Sequence, residues 1–247
     1  MELHPKYQIV LVCVLLLPAL CFSQGYTYSR ATYYSTPDGY GTSTGACGYG
    51  DYGRTVNYGM VAGVSGLWRG GAGCGACYQV RCKDSKLCDY SGPMIVTTDF
   101  GAGDRTDFIM SLNGFLKLGR DGKASQELKN QGVVDVEYKR VPCTFDGSNV
   151  KIKIHESSKY PNYLAIAIIY VPGMNDVVAV EISDNDGKDW KAMRRTFGAV
   201  FDLQNTPKGP FKLRVKFSGS YDWVESPKNV IPSYWKNGAI YDTGIHA

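Results

Sequence analysis

Two carboxylates stand where this chain could move protons. Asp99 ends the run "PMIVTTDF", and Asp107 lies in "DRTDFIMSLNGF", two places before Ile109. Inverting glycoside hydrolysis needs two carboxyl groups about 6.5–9.5 Å apart, one to protonate the leaving oxygen and one to activate water. An isoleucine at 109 occupies a position where a second acid could have stood, and it cannot carry a proton. Asp99 also has a plainer reading, as a strand-end carboxylate accepting backbone N–H groups. Asp107, or Thr106 before it, reads as the N-cap of a helix over 107–118, with Phe108, Leu112, Phe115 and Leu116 on one face and Gly119 as its stop.

Other chemistries find less support. His4 lies near the N-terminus, and His155 and His246 lie in the second half. The first half therefore lacks the histidine of a Ser-His-Asp or Cys-His centre. "GGAGCGACYQVRC" is glycine-rich but lacks the Gly-Lys-Ser/Thr ending of a phosphate loop. Its three thiols could suggest zinc, yet no histidine is near them. No metal or cofactor is expected.

The elements that must position these groups follow from the rest of the chain. "MELHPKYQIVLVCVLLLPALCFSQG" carries Lys6, an apolar run from Ile9 to Leu20 and a small-residue exit at Ser23. It is expected to be a signal peptide at 1–23, too short to be a membrane span. Cys13 and Cys21 would leave with it, and the remaining Cys47, Cys74, Cys77, Cys82, Cys88 and Cys143 form an even set in an exported chain. That reads as three disulfides, with fifteen pairings open. All six precede Phe145, which predicts a boundary between 24–146 and 147–247. The two parts carry 13 basic against 12 acidic residues and 13 against 10, net +1 and +3, too diffuse for a nucleic-acid surface.

Helical periodicity is scarce, and the prior is all-β. Tyr26 to Tyr58, dense in Gly, Tyr, Ser and Thr, reads as looped surface over short strands. "VVDVEYKRVPC" alternates and reads as the closing strand of the first domain. "NVKIKIHE", "YLAIAIIYV", "VVAVEIS" and "FKLRVKF" read as strands separated by turns at "DNDGKD", "NTPKGP" and "ESPKN", at the spacing of a β-sandwich.

Taken in order, "ATYYS", "GACGYG", "GGAGCGACYQVRC", "TTD", "FIMSLNGF", "PNYLAI" and "WKAMRRTFGAVF" resemble the motifs of plant expansins along all of the chain after the leader. The resemblance implies a six-stranded double-psi β-barrel, related to family-45 endoglucanases, followed by an immunoglobulin-like β-sandwich that binds carbohydrate. It implies the bridges Cys47–Cys74, Cys77–Cys143 and Cys82–Cys88. It also implies a secreted protein of the plant cell wall that loosens noncovalent glucan contacts without hydrolysis. Departures are informative. Ser35 stands where the glucanase relatives carry a base Asp, and the family's His-Phe-Asp aligns with Asp107-Phe108-Ile109, so the acid position is Ile109. With the non-cysteine "TTDFGAG", this places the chain nearest the expansin-like branch, its B group in overall look.

By the same resemblance, Thr32, Tyr33 and Asp99 match a polysaccharide groove in the barrel, and Tyr163 and Phe197 match a platform of rings on the sandwich. Leu164 stands where some relatives have a second ring, Trp190 packs on the sandwich, and Trp68, Trp223 and Trp235 have no assigned role. The expected partner is cellulose, xyloglucan or a related glucan, bound by a monomer with no catalytic residues, no nucleic acid and no membrane after leader removal. Two rivals stay open. One is a weak endoglucanase using Asp99 and Asp107; the other is a non-loosening polysaccharide-binding or defence-related module.

Overall fold

The structure is a computed structural model describing residues 25–101, 103 and 106–247; the expected leader at 1–23 and Asp104 lie outside the described residues. The strands β1 (Thr27–Tyr33), β2 (Val61–Val64), β3 (Cys77–Cys82), β4 (Met94–Phe100), β5 (Phe108–Met110) and β6 (Val134–Arg140) close a barrel in the order β1-β5-β2-β4-β3-β6. β1 runs parallel to β5 and β2 parallel to β4; the other neighbours are antiparallel. The inward positions Ala31, Ala62, Val64, Val80, Ile95, Phe108, Met110 and Val136 are fully buried. Phe108 meets Tyr78 and Tyr138 edge-on at 5.9 and 5.1 Å. Burying such a ring contributes roughly 1.5–3 kcal/mol, and the small Ala31 and Ala62 leave space for it.

The helix expected over 107–118 is two elements. Phe108–Met110 is β5, paired with β1 and β2, and its buried–half-buried–buried alternation is that of a strand. Ser111 then caps the short helix Leu112–Leu116 by accepting from the Gly114 N–H. Pairing on both sides overrides the local 3.6 period. A longer helix, Gly122–Gln131, forms where the sequence shows no helical period. Asp121 caps it through the Ala124 N–H and Gly132 ends it at φ 76°. It buries only Ala124, Ser125 and Leu128, too little apolar surface to leave a sequence period.

The second half contains β7 (Lys151–Ile154), β8 (Tyr163–Tyr170), β9 (Val177–Ser183), β10 (Lys191–Phe197), β11 (Val200–Gln204), β12 (Lys212–Phe217), β13 (Trp223–Glu225) and β14 (Ile240–Asp242). They form one curled sheet in the order β13-β12-β9-β10-β11-β8-β7-β14. β10 makes the corner. Lys191–Met193 pair with β9, Arg194–Phe197 pair with β11, and the register shifts between Arg195 and Phe197. The two flanks thereby face each other over a core that includes Ile152, Ile166, Ile182, Phe201, Leu213 and Val215. The fold is mostly β: a barrel and a sandwich.

β8 shows why "YLAIAIIYV" is apolar throughout. Leu164, Ile166 and Ile168 enter the sandwich core, while Ala165, Ala167 and Ile169 pack with Cys47, Tyr49, Ala199 and Val200 against the barrel. A strand covered on both faces loses the polar alternation. The segment around Cys47 and Tyr49, expected as looped surface, is therefore buried between the two halves. Close approach is enforced at Gly198 (φ 48°), where a Cβ would sit 2.3 Å from the Ala46 carbonyl oxygen. Asp176 of the sandwich meets Arg69 at 2.7 Å and Arg140 at 3.3 Å, and the buried Lys153 donates to the Tyr49 carbonyl at 3.0 Å.

The disulfides are Cys47–Cys74, Cys77–Cys143 and Cys82–Cys88, so the thiols that suggested zinc are engaged.

Candidate functional site

β4 delivers Asp99 to the barrel rim. Its Oδ1 accepts the Ala46 N–H at 2.6 Å and the Phe100 N–H at 2.8 Å, so the carboxylate holds the Gly45–Cys47 segment in place. Oδ2 faces the Tyr34 hydroxyl at 3.4 Å. Burial, reinforced by the negative Asp99, raises the Tyr34 hydroxyl well above its ordinary range, keeping it a proton donor. Gly63 makes this meeting possible, because a Cβ there would lie 2.7 Å from the Tyr34 oxygen. A water-sized recess of about 10 Å³ lies here, lined by Tyr34, Tyr40, Thr42, Gly45, Thr98 and Asp99 among others.

The register lays Thr32, Ile109, Gly63 and Asp99 side by side across β1, β5, β2 and β4. Paired positions share a face of the sheet, so Thr32, Ile109 and Asp99 form one outer row. The Thr32 hydroxyl donates to the Gly132 carbonyl at 2.8 Å. Tyr33 departs from the expected groove. Strand alternation turns it toward the helices, where its ring packs on Phe115 at 4.9 Å and its hydroxyl donates to the Lys129 carbonyl. Tyr34 takes the place beside Asp99. The sequence held two adjacent tyrosines, and only the register separates their faces.

Asp107 caps no helix. Its Oδ2 accepts from the Ser29 hydroxyl at 2.7 Å and its Oδ1 from the Ser65 hydroxyl at 3.1 Å. It lines an open cleft with Tyr28, Ser29, Arg30, Lys83 and Asp135, while Asp99 lines the other recess. The two carboxylates thus face different hollows. Ile109, half-buried, lies between their strand positions with its Cδ1 against Gly101, and Ser35 is exposed past the end of β1.

On the sandwich, Tyr163, Ala165, Ala167 and Ile169 alternate onto one face of β8, with Gln204, Asp202 and Val200 opposite them on β11. The barrel covers the Ala167 end of this face. At the free end, the half-buried Tyr163 donates to Asp202 at 3.0 Å, and Arg194 pairs with the same buried carboxylate at 2.9 Å. Burial first, then Asp202, raises the Tyr163 hydroxyl above its ordinary value, so it too stays a donor. Phe197 is 46% exposed. One edge of its ring would lie 2.8 Å from a Cβ at Gly48, and His155 meets it edge-on at 5.6 Å. Phe197 therefore abuts the barrel segment that Asp99 holds.

Leu164, which stands where some relatives have a second ring, is fully buried in the sandwich core and adds nothing to this surface. Trp190 and Trp223 stack on Arg214 at 4.4 and 4.7 Å, Trp235 is buried, and Trp68 meets Phe100 at 5.6 Å. Among the described residues, no cluster of three His, Cys, Asp or Glu is placed to hold a metal ion, and no helix is long and apolar enough to cross a membrane. Sequence reasoning missed Tyr34, Asp202 and His155, which have polar or titratable groups but no diagnostic spacing.

A closed barrel fused to a curled sandwich, with an acid at the barrel rim and aromatic rings on the adjoining sheet face, defines a two-domain class that also exists in solved structures. An expansin of Clavibacter michiganensis in its apo form superposes with a TM-score of 0.63 at 20% identity, covering 89% of this chain and 96% of that one. A mutant Clavibacter michiganensis expansin in complex with cellohexaose superposes at 0.62, with the same identity and coverage. Residues 150–232 match the family described as Expansin C-terminal domain, and 60–138 match the double-psi barrel family described as Lytic transglycolase. Expansin-like B1 of Arabidopsis thaliana is 51% identical over 235 residues, covering 94% of this chain and 93% of that protein. Expansin-like B1 of Oryza sativa subsp. japonica is 41% identical, covering 96% and 94%. The chain belongs to the expansin family, among its expansin-like members.

Proposed function

We propose that this is a secreted plant cell-wall protein that binds a glucan of the cellulose or xyloglucan type and loosens noncovalent contacts between glucans without cutting them. In this reading a leader at 1–23 is removed, 24–146 forms the groove domain, 147–247 forms the platform domain, and the protein acts as a monomer. The relatives named expansin-like, and an expansin of the same fold in complex with cellohexaose, support a glucan as ligand.

The observation that carries the proposal is the adjacency of Phe197 to the barrel segment anchored by Asp99. A sugar chain lying on Tyr163 and Phe197 would bury its apolar ring faces on the aromatic surface and continue toward Tyr34, Asp99 and Thr32. Asp99 and the Tyr34 hydroxyl would take up sugar hydroxyls through Oδ2 and Oη. Proton transfer lacks a partner on this row, where Ile109 offers no titrating group. Asp107 is held by two serine hydroxyls in a separate cleft.

Retention on microcrystalline cellulose tests the proposal, with the Tyr163→Ala, Phe197→Ala double variant beside the native protein. Two lost rings, at about 1 kcal/mol each, predict a fall in affinity of roughly tenfold or more. Equal retention by folded native and variant proteins would remove the platform. New reducing ends from soluble glucan, abolished by Asp99→Asn, would replace binding with hydrolysis.

A further inference from the structure

A second hollow of about 450 Å³ opens beside the Asp99 recess, lined by Tyr40, Asp51, Arg54, Thr55, Tyr58 and Gly59. Tyr40 lines both, which makes the two hollows neighbours across one ring. The ring of Tyr40 lies against Gly59, where a Cβ would sit 2.5 Å from Cε1.

Tyr58 is the unusual residue. Asn57 and Tyr58 are both left-handed, at φ 51° and 57°, a region that bulky L-residues seldom occupy. Neighbours outside the turn enforce it. Asn57 Nδ2 donates to the Met94 carbonyl at 2.8 Å, and Asn113 Nδ2 donates to the Tyr58 carbonyl at 2.9 Å. The ring recovers almost nothing by packing, being 84% exposed. A glycine would hold the same turn with less strain. The backbone is thus kept in an unfavourable conformation while displaying an unburied ring beside a polar hollow, a combination that points to an outside ligand.

The chemistry of the hollow narrows that ligand. Arg54 is already paired with Asp38, and Asp51 adds a second carboxylate, so one cation faces two anions and an acidic polysaccharide is disfavoured. Aromatic faces with carboxylates and the Thr55 hydroxyl suit a neutral sugar, which stacks by its apolar face and donates its hydroxyls at the edge. We propose that this hollow is an additional glucan subsite, with Tyr58 as its stacking ring, taking neutral sugar units of a chain that continues past Asp99. It rests on the glucan-binding reading above.

Calorimetric titration of cellotetraose and cellohexaose into the native protein, Tyr58→Gly and Tyr58→Phe tests it. The native protein is expected to bind the hexaose more tightly than the tetraose. Tyr58→Gly should bind the hexaose about tenfold more weakly, leave tetraose affinity unchanged and melt at the same or a higher temperature, because glycine relieves the turn. Tyr58→Phe should match the native protein. Native affinities for both sugars in Tyr58→Gly, or an equal loss on both, would overturn the subsite and leave the platform standing. Failure of the native protein to bind either sugar would overturn the glucan reading and the subsite with it.

Discussion

Two tyrosines and one histidine near the proposed surface have their protonation set by a few named neighbours. Tyr34 and Tyr163 are kept protonated by burial and an adjacent carboxylate, so both serve as donors. His155, beside Phe197, shows the opposite pressure. Burial, then the charge of Lys153, holds its pKa below the ordinary 6.5, against the pull of Glu156. The Ser157 N–H donates to Nδ1, which fits the neutral ring. An unfolded chain would bind that proton more readily than the folded one, so stability is full above about pH 6.5 and falls as the pH drops below it. His155→Gln is expected to flatten this part of the stability–pH profile, measured by denaturant unfolding between pH 7.5 and 5. An unchanged slope would assign the acid sensitivity to other groups.

At the scale of elements, the Cys77–Cys143 bridge joins the start of β3 to the segment after β6, across 66 residues. Loop entropy predicts that replacing both cysteines by serine lowers stability by about 4 kcal/mol in guanidinium unfolding. A loss under about 1 kcal/mol would mean that the closed barrel constrains the chain without it. Much at this scale was legible beforehand. Alternation in "VVDVEYKR", "VVAVEIS" and "KLRVKF" marks strands because one face meets the core and the other meets water. Three differences between sequence pattern and structure share a cause outside the local sequence. Phe108–Met110 fits a helical period in sequence, but its strand character comes from partners β1 and β2. Gly122–Gln131 leaves no sequence period because it buries so little, and Tyr34 in place of the expected Tyr33 meets Asp99 because only cross-strand register decides which side chain does so. Asp99 stands at the end of its strand as its apolar run indicates, and it accepts backbone N–H groups through Oδ1 while Oδ2 faces Tyr34.

For the molecule as a whole, the proposed function rests on how the two halves dock. Ala165, Ala167 and Gly198 are small where the halves meet, Asp176 is gripped by two arginines from the barrel, and Lys153 reaches across to the Tyr49 carbonyl. These contacts fix Phe197 against Gly48, the arrangement on which the proposed binding of one sugar chain by both halves depends. The most direct test is a crystal structure of the protein with cellohexaose. An intact six-sugar chain is predicted, stacked on Phe197 and Tyr163 and reaching Asp99. A chain bound away from these residues, or one found cleaved, would contradict the account.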